Sequence, residues 1–192
     1  GSVGSSQVAA SIITGQTALG ATPADTDELL ISDAGTLKRV DFSHLKVDNT
    51  PAFHARLTSG QSISNETNTI VQFDSETYDT DNAYDNSTNY RFTVPSGEAG
   101  KYFFYSMAQL SFSNADRLLM LKIYKNGAEF GKFTNTYSGA GTDVSASVHI
   151  VDDASVGDYY DMRVYQNDGT RTLSGHSTRN LTCFGGYKLI GV

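Results

Sequence analysis

The feature that most restricts the fold is a spaced set of aromatics and glycines in the middle of the chain. It runs Phe73, Asp79, Tyr84, Phe92 and then Gly100-Lys101-Tyr102-Phe103-Phe104. From Pro51 onward the pattern around this set is all strand. Phe53 to Leu57 alternates apolar with polar, and Thr69 to Phe73 and Tyr90 to Pro95 follow as short extended runs. Asp143 to Val151 and Gly157 to Tyr165 alternate again, and Leu181 to Leu189 closes the series. Lys125-Asn126-Gly127-Ala128 and Asn167-Asp168-Gly169 supply the turn chemistry that joins antiparallel neighbours. Tyr102 to Phe112 and Leu118 to Tyr124 are apolar or aromatic on both faces at several positions, unlike a strand with one wet face. Such a strand lines the core with one face and meets a neighbouring subunit with the other. About ten short antiparallel strands at close spacing predict an all-β, two-sheet sandwich.

The order aromatic, Asp, aromatic, Phe, Gly-x-Tyr-x-Phe resembles the signature of the C1q/TNF-like jelly-roll family. Phe73, Asp79, Tyr84, Phe92, Gly100, Tyr102 and Phe104 carry it, and the ending Phe184-x-Gly186 resembles the family's terminal strand. The first two gaps have the family spacing, the next two are longer, and Ser106 stands where an aromatic is usual. The resemblance implies a jelly-roll head that assembles as a homotrimer and works by recognition rather than catalysis.

Residues 1–20 are small and polar and are expected to be flexible or extended. Residues 21–50 read as a connector. Glu28 to Ser32 and Thr36 to Val40 are strand-like runs around Asp33-Ala34-Gly35, which predicts a β-hairpin. One hairpin alone is marginal in water, and its simplest partners are copies of itself. Asp41 to Lys46 reads as a helical turn with Asp41 as cap, and Asp48 to Pro51 as linker. The string from Thr22 to Val40 resembles the short modules preceding the tip domain in tail-fibre proteins of marine bacteriophages. The head is placed at 51–192.

A net charge of -7 makes nucleic acid a poor partner, because phosphate binding needs clustered Lys and Arg. No apolar run approaches membrane-spanning length, so no membrane insertion is expected, and no secretory leader is visible. Cys183 is the one cysteine and reads as a small buried hydrophobe. His44, His54, His149 and His176 have no zinc spacing, and no Gly-x-Ser-x-Gly or phosphate-binding glycine motif exists. Asp79, Asp81 and Asp85 lie in the acidic stretch 74–89, read as an exposed loop. Hard oxygens there are candidate Ca²⁺ ligands, against the plainer reading of a solvated loop and no cofactor. Tyr78, Tyr84 and Tyr137, with Asn86 nearby, read as loop residues suited to contact a receptor or, equally, to pin their loops.

The function expected from these features is a non-enzymatic trimeric head of a phage or virion fibre. It would bind a host-surface glycan or protein, with other virion fibre proteins as neighbours and the particle as its location. The alternatives are a secreted or cell-surface recognition module of a cellular organism, a purely structural virion component, and a polysaccharide-degrading fibre enzyme. The last would need a carboxylate pair that nothing in the chain singles out.

Overall fold

The computed structural model describes residues 11–45, 49–137, 141 and 143–191, with the backbone alone for 11, 12 and 135–137. The chain forms two compact units, Gly1–Asp48 and Asn49–Val192.

In the first unit, residues 1–10 lie outside the described residues, and a single helical turn, α1, spans Ser11–Thr14. Strands β1 (Glu28–Asp33) and β2 (Thr36–Asp41) pair antiparallel, with Leu30 opposite Arg39 and Ser32 opposite Leu37. The loop residues Ala34 and Gly35 both have positive φ, 49° and 83°, as a two-residue turn matching the right-handed strand twist requires. Lys38–Asp33 and Arg39–Glu28 ion pairs bridge the strands but are exposed, so they contribute little. Beyond β2 the expected capped helical turn is a 3-10 turn, Phe42–His44, and Asp41 makes no side-chain capping bond to it. Leu29, Leu30, Ile31 and Leu37 all remain exposed on this hairpin.

Among the described residues the second unit has thirteen strand segments, more than the ten expected because several are two or three residues long. Its first sheet contains β3 (Ala52–Arg56), β4 (Gln61–Ile63), β6 (Ser75–Asp79), β9 (Gly100–Ser111), β12 (Asp143–Ala154), β14 (Arg171–Leu173) and β15 (Cys183–Lys188). Here β9 is central, with β12 along one edge and β15 along the other, then β3 and β6. The second sheet contains β5 (Thr69–Ile70), β7 (Tyr84–Asp85), β8 (Arg91–Thr93), β10 (Arg117–Lys125), β11 (Ala128–Tyr137) and β13 (Tyr159–Gln166). All these pairings are antiparallel, and the two sheets form the expected jelly-roll sandwich.

Strand period explains the core. Along β9 the even residues Tyr102, Phe104, Ala108 and Leu110 point inward and are fully buried, while the odd ones face out. Phe53 and Phe184 of the first sheet meet Tyr84 and Phe92 of the second. Phe53 stacks on Phe92 at 4.7 Å and on Tyr84 at 5.2 Å, and meets Phe184 edge-on at 5.0 Å. Offset and edge-on aromatic contacts of this kind add to what area burial alone supplies. Gly186 gives Phe104 its place, because a Cβ there would stand 2.5 Å from the ring. Gly100, at φ +147°, opens β9 in a conformation that side chains with a Cβ rarely adopt.

The acidic stretch 74–89 differs from the exposed loop expected of it. It contributes two short strands, β6 on the edge of the first sheet and β7 on the edge of the second. Their polar residues face solvent because edge strands need no second buried face, while Tyr84 drops into the core. Conversely, the run Thr69 to Phe73 is strand only at Thr69 and Ile70, with one further bond from Val71 N to Met162 O at 2.9 Å, although Val71 and Phe73 are buried.

Asp158 ties the β10–β11 turn to the loop before β13. It accepts from Asn126 Nδ2 at 2.8 Å and Ser155 N at 2.9 Å, and pairs with Lys125 at 3.0 Å. The Asn126 and Ser155 bonds, helped by Lys125, hold its carboxyl down to about 2. A depressed carboxyl stabilises the fold above its unfolded value and loses that contribution as pH falls through the folded one. Asp158→Asn is therefore expected to cost about 2 kcal/mol at neutral pH, measured by urea denaturation. The gap to the native chain should close between about pH 4 and pH 2. A pH-independent difference would show that the charge is not what holds the turn.

Candidate functional site

The outward face of the first sheet carries a continuous aromatic patch, and strand register builds it. Opposite residues across β6, β3, β15, β9 and β12 form rows: Tyr78, His54, Gly185, Tyr105 and His149 in one, Ala52, Tyr187, Phe103 and Val151 in the next. Gly185 lies at the centre. A Cβ there would meet Tyr105 Oη at 2.4 Å, so only a glycine lets that ring lie flat across the sheet. Tyr105 Oη thereby reaches His54 Nδ1 at 3.0 Å. Its ring also stacks with His54 at 6.0 Å, and Phe103 contacts Tyr187, Tyr105 and His149 at 5.5, 6.2 and 6.3 Å. Burial, followed by the neighbouring Tyr78, pushes the Tyr105 hydroxyl up, so it stays protonated at physiological pH. Phe103, Tyr105 and Tyr187 are half-buried, His54 is buried, and Tyr78, His149 and Val151, the last at 58%, are exposed. A face of this kind, apolar bodies with a few hydroxyl and imidazole tips, is suited to protein–protein contact rather than to chemistry.

The receptor candidates from the sequence separate. Tyr78 is 46% exposed but belongs to this patch, on β6 beside His54 at 6.2 Å, and not to a loop. Tyr84 is 4% exposed, stacked on Phe53, and contributes to the core; it has no face to offer a receptor. Its hydroxyl is pushed well up by burial and by Glu76. Tyr137 ends strand β11 opposite Arg117 instead of sitting in a loop, and its side chain lies outside the described residues. Asn86 is half-buried on the rim of an open concavity of about 610 Å³, which Glu76, Asp81 and Asp85 also line.

The three carboxylates proposed for Ca²⁺ do not converge. Asp79 Oδ2 accepts from Tyr84 N at 2.7 Å, and Asp81 Oδ2 from Thr80 Oγ1 at 2.6 Å. Asp85 holds its own turn, accepting from the backbone of Thr88, Asn89 and Ser87. Those bonds, Thr88 first, keep its carboxyl well below the usual range. Among the described residues no three His, Cys, Asp or Glu side chains group as metal ligands. The patch itself was only half visible in the sequence. Tyr105 and Tyr187 fall on strands and read as core or interface, but His54, His149 and the role of Gly185 need the register across four strands.

The signature residues meet in one place: Phe73, Tyr84, Phe92, Tyr102, Phe104 and Phe184 are all core, and Gly186 fits beneath Phe104. The sequence profile of the C1q domain matches residues 52–189. The globular domain of zebrafish complement 1qA protein superposes with a TM-score of 0.53 at 16% identity, over 73% of this chain and 98% of that one. Eiger TNF from S. frugiperda superposes at 0.54 with 13% identity, over 73% of this chain and 93% of that one. Among curated proteins none matches the chain.

Proposed function

We propose that this chain, which belongs to the C1q domain family through its residues 52–189, is a non-enzymatic homotrimeric recognition head carried by a virion fibre. Recognition is the family's common work; trimer, virion and host receptor are this reading's own. The observation that carries it is the aromatic face of the first sheet. An apolar patch spanning Tyr78, Tyr105, Phe103 and Tyr187 calls for a partner, and identical copies around an axis supply one. In that arrangement Tyr78 belongs to the subunit contact, and receptor residues lie on the loops and on the outer face of the second sheet. The connector hairpin supports a fibre, since Leu30 and Leu37 stand exposed on one face and Leu29 and Ile31 on the other. Such a hairpin gains from copies of itself held close by the head.

The second reading, a secreted or cell-surface recognition module, draws on the two structural neighbours, both of them animal proteins by their descriptions. Two measurements separate the readings. Mass spectrometry of purified particles from an infected culture finds the chain if it is a fibre component. Fluorescent trimer is then mixed with intact host cells and with extracted surface polysaccharide, and reducing ends are assayed afterwards. Saturable binding without released oligosaccharide is expected. Released oligosaccharide would make the chain an enzyme, and absence from every particle would favour the cellular module.

A further inference from the structure

Six non-glycine residues among those described have positive φ: Ala34, Glu66, Asn82, Tyr90, Asp116 and Asn126. Tyr90 is the one aromatic, at φ +52°. It closes the β7–β8 hairpin, whose other loop residues are gathered by the Asp85 carboxylate. The hairpin needs a left-handed residue there, but a glycine or asparagine fills that need without strain. A bulky side chain in this conformation is strained. Tyr90 is half-exposed, lies outside the core, and makes no hydrogen bond or ring contact with any described residue.

The ring stands where two hollows adjoin, one of about 290 Å³ on the outer side of the second sheet and one of about 390 Å³ beside β4 and the β3–β4 connection of the first, and Tyr90 and Gln72 line both. On one side lie Arg91, Arg163 and Tyr159. Arg163 is held by Asp161 at 2.7 Å, but Arg91 makes no ion pair among the described residues and lies over the Tyr159 ring at 4.1 Å. Its register partners are Asp85, which lines the neighbouring concavity, and Asp161. The charged groups lining the two hollows are Arg91, Arg163, Asp161 and Asp74, two of each sign. The other hollow adds Ser59, Gln61, Ser62 and Asp74, whose carboxylate accepts from Thr58 N at 2.8 Å and Thr58 Oγ1 at 2.6 Å.

We infer that this groove binds a neutral saccharide of the host-surface glycan, with Tyr90 as the stacking platform and Arg91 as the principal donor. The phenol ring offers a flat apolar face for the C–H side of a pyranose. The guanidinium and the Gln72 amide donate to hydroxyls, and the amide oxygens of Gln72 and Asn89 accept from them. The hollows are too polar for a lipid, and the balanced charge selects an uncharged ligand over an anionic one. This inference rests on the recognition reading and supplies the chemistry at its contact surface.

The test is protein-observed NMR on the full chain, titrated to high millimolar with methyl glycosides of glucose, galactose, mannose, N-acetylglucosamine and galacturonic acid. Saturable shifts centred on Tyr90 and Arg91 are expected for at least one neutral glycoside. Tyr90→Gly and Arg91→Ala should each weaken that binding about tenfold or more. Tyr90→Gly keeps the backbone conformation, so its melting temperature should stay within a few degrees of the native value. No shift with any neutral glycoside, a response to galacturonate alone, or a Tyr90→Gly chain that melts markedly lower would each overturn the assignment. If labelled native chain binds cells and Tyr90→Gly binds them equally well, this groove is wrong and the recognition reading stands.

Discussion

Phe104→Ala is expected to leave the head barely folded at growth temperature. The ring is fully buried and meets five others: Tyr160 at 4.1 Å, Tyr102 and Phe92 at 5.7 Å, Phe184 at 6.2 Å and Phe53 at 6.5 Å. Those partners come from both sheets, so the cavity left by truncation cannot collapse without separating strands that hydrogen bonds hold in register. Removing a buried phenylalanine costs about 3–5 kcal/mol, and a site that cannot relax falls at the upper end. For a domain of this size that lowers the melting point by roughly 10 °C or more. Phe130→Ala is the control, because its ring is 45% exposed on the edge strand β11. Circular dichroism melts of both variants decide it. Equal melting points would show that the aromatic cluster does not hold the sheets together.

That cluster was legible before any coordinates. Phe104, Tyr102 and Phe92 stand at spacings that put them on one face of strands. The two-sheet sandwich followed from alternation of period two, and the jelly-roll topology from the resemblance to the C1q/TNF-like signature. The hairpin of the connector was equally plain, since Ala34-Gly35 is a turn that dictates its own geometry. Local rules failed where long-range pairing decides. Tyr84 sits among Asp, Asn and Thr, so composition assigns it to a solvated loop. Only the pairing of β7 with β8, which sets Tyr84 opposite Phe92, sends its ring inward. Asp79 and Asp85 read as free ligand oxygens because a sequence does not show which backbone N–H groups a carboxylate will satisfy. Tyr90 was read as the start of a strand, and the strain it carries exists only in φ.

The same parity rule drives the second large effect. Phe103 follows Tyr102 and precedes Phe104, yet it faces the other way, into the aromatic rows with Tyr105, Tyr187 and His149. Phe103→Glu is therefore expected to leave the sandwich intact and to abolish assembly. Around a threefold axis each copy would bring a carboxylate into a face lined by rings, without a cation to meet it. The basic residue nearest the ring is His149 at 6.3 Å, an exposed imidazole and not a fixed cation; Lys101 and Lys188 follow in sequence and register, and Lys188 is already paired with Glu98 at 3.0 Å. An uncompensated buried charge costs about 3 kcal/mol or more per copy, and three copies would bear it together. Light scattering at low micromolar concentration should report a trimer mass for the native chain and one third of it for the variant. The variant should still melt cooperatively, since Tyr102 and Phe104 remain in place on the opposite face. Phe103→Leu should keep the trimer, because it removes the ring but adds no charge. A native chain of monomer mass, or a Phe103→Glu chain that stays trimeric, would mean that this face meets something other than copies of itself.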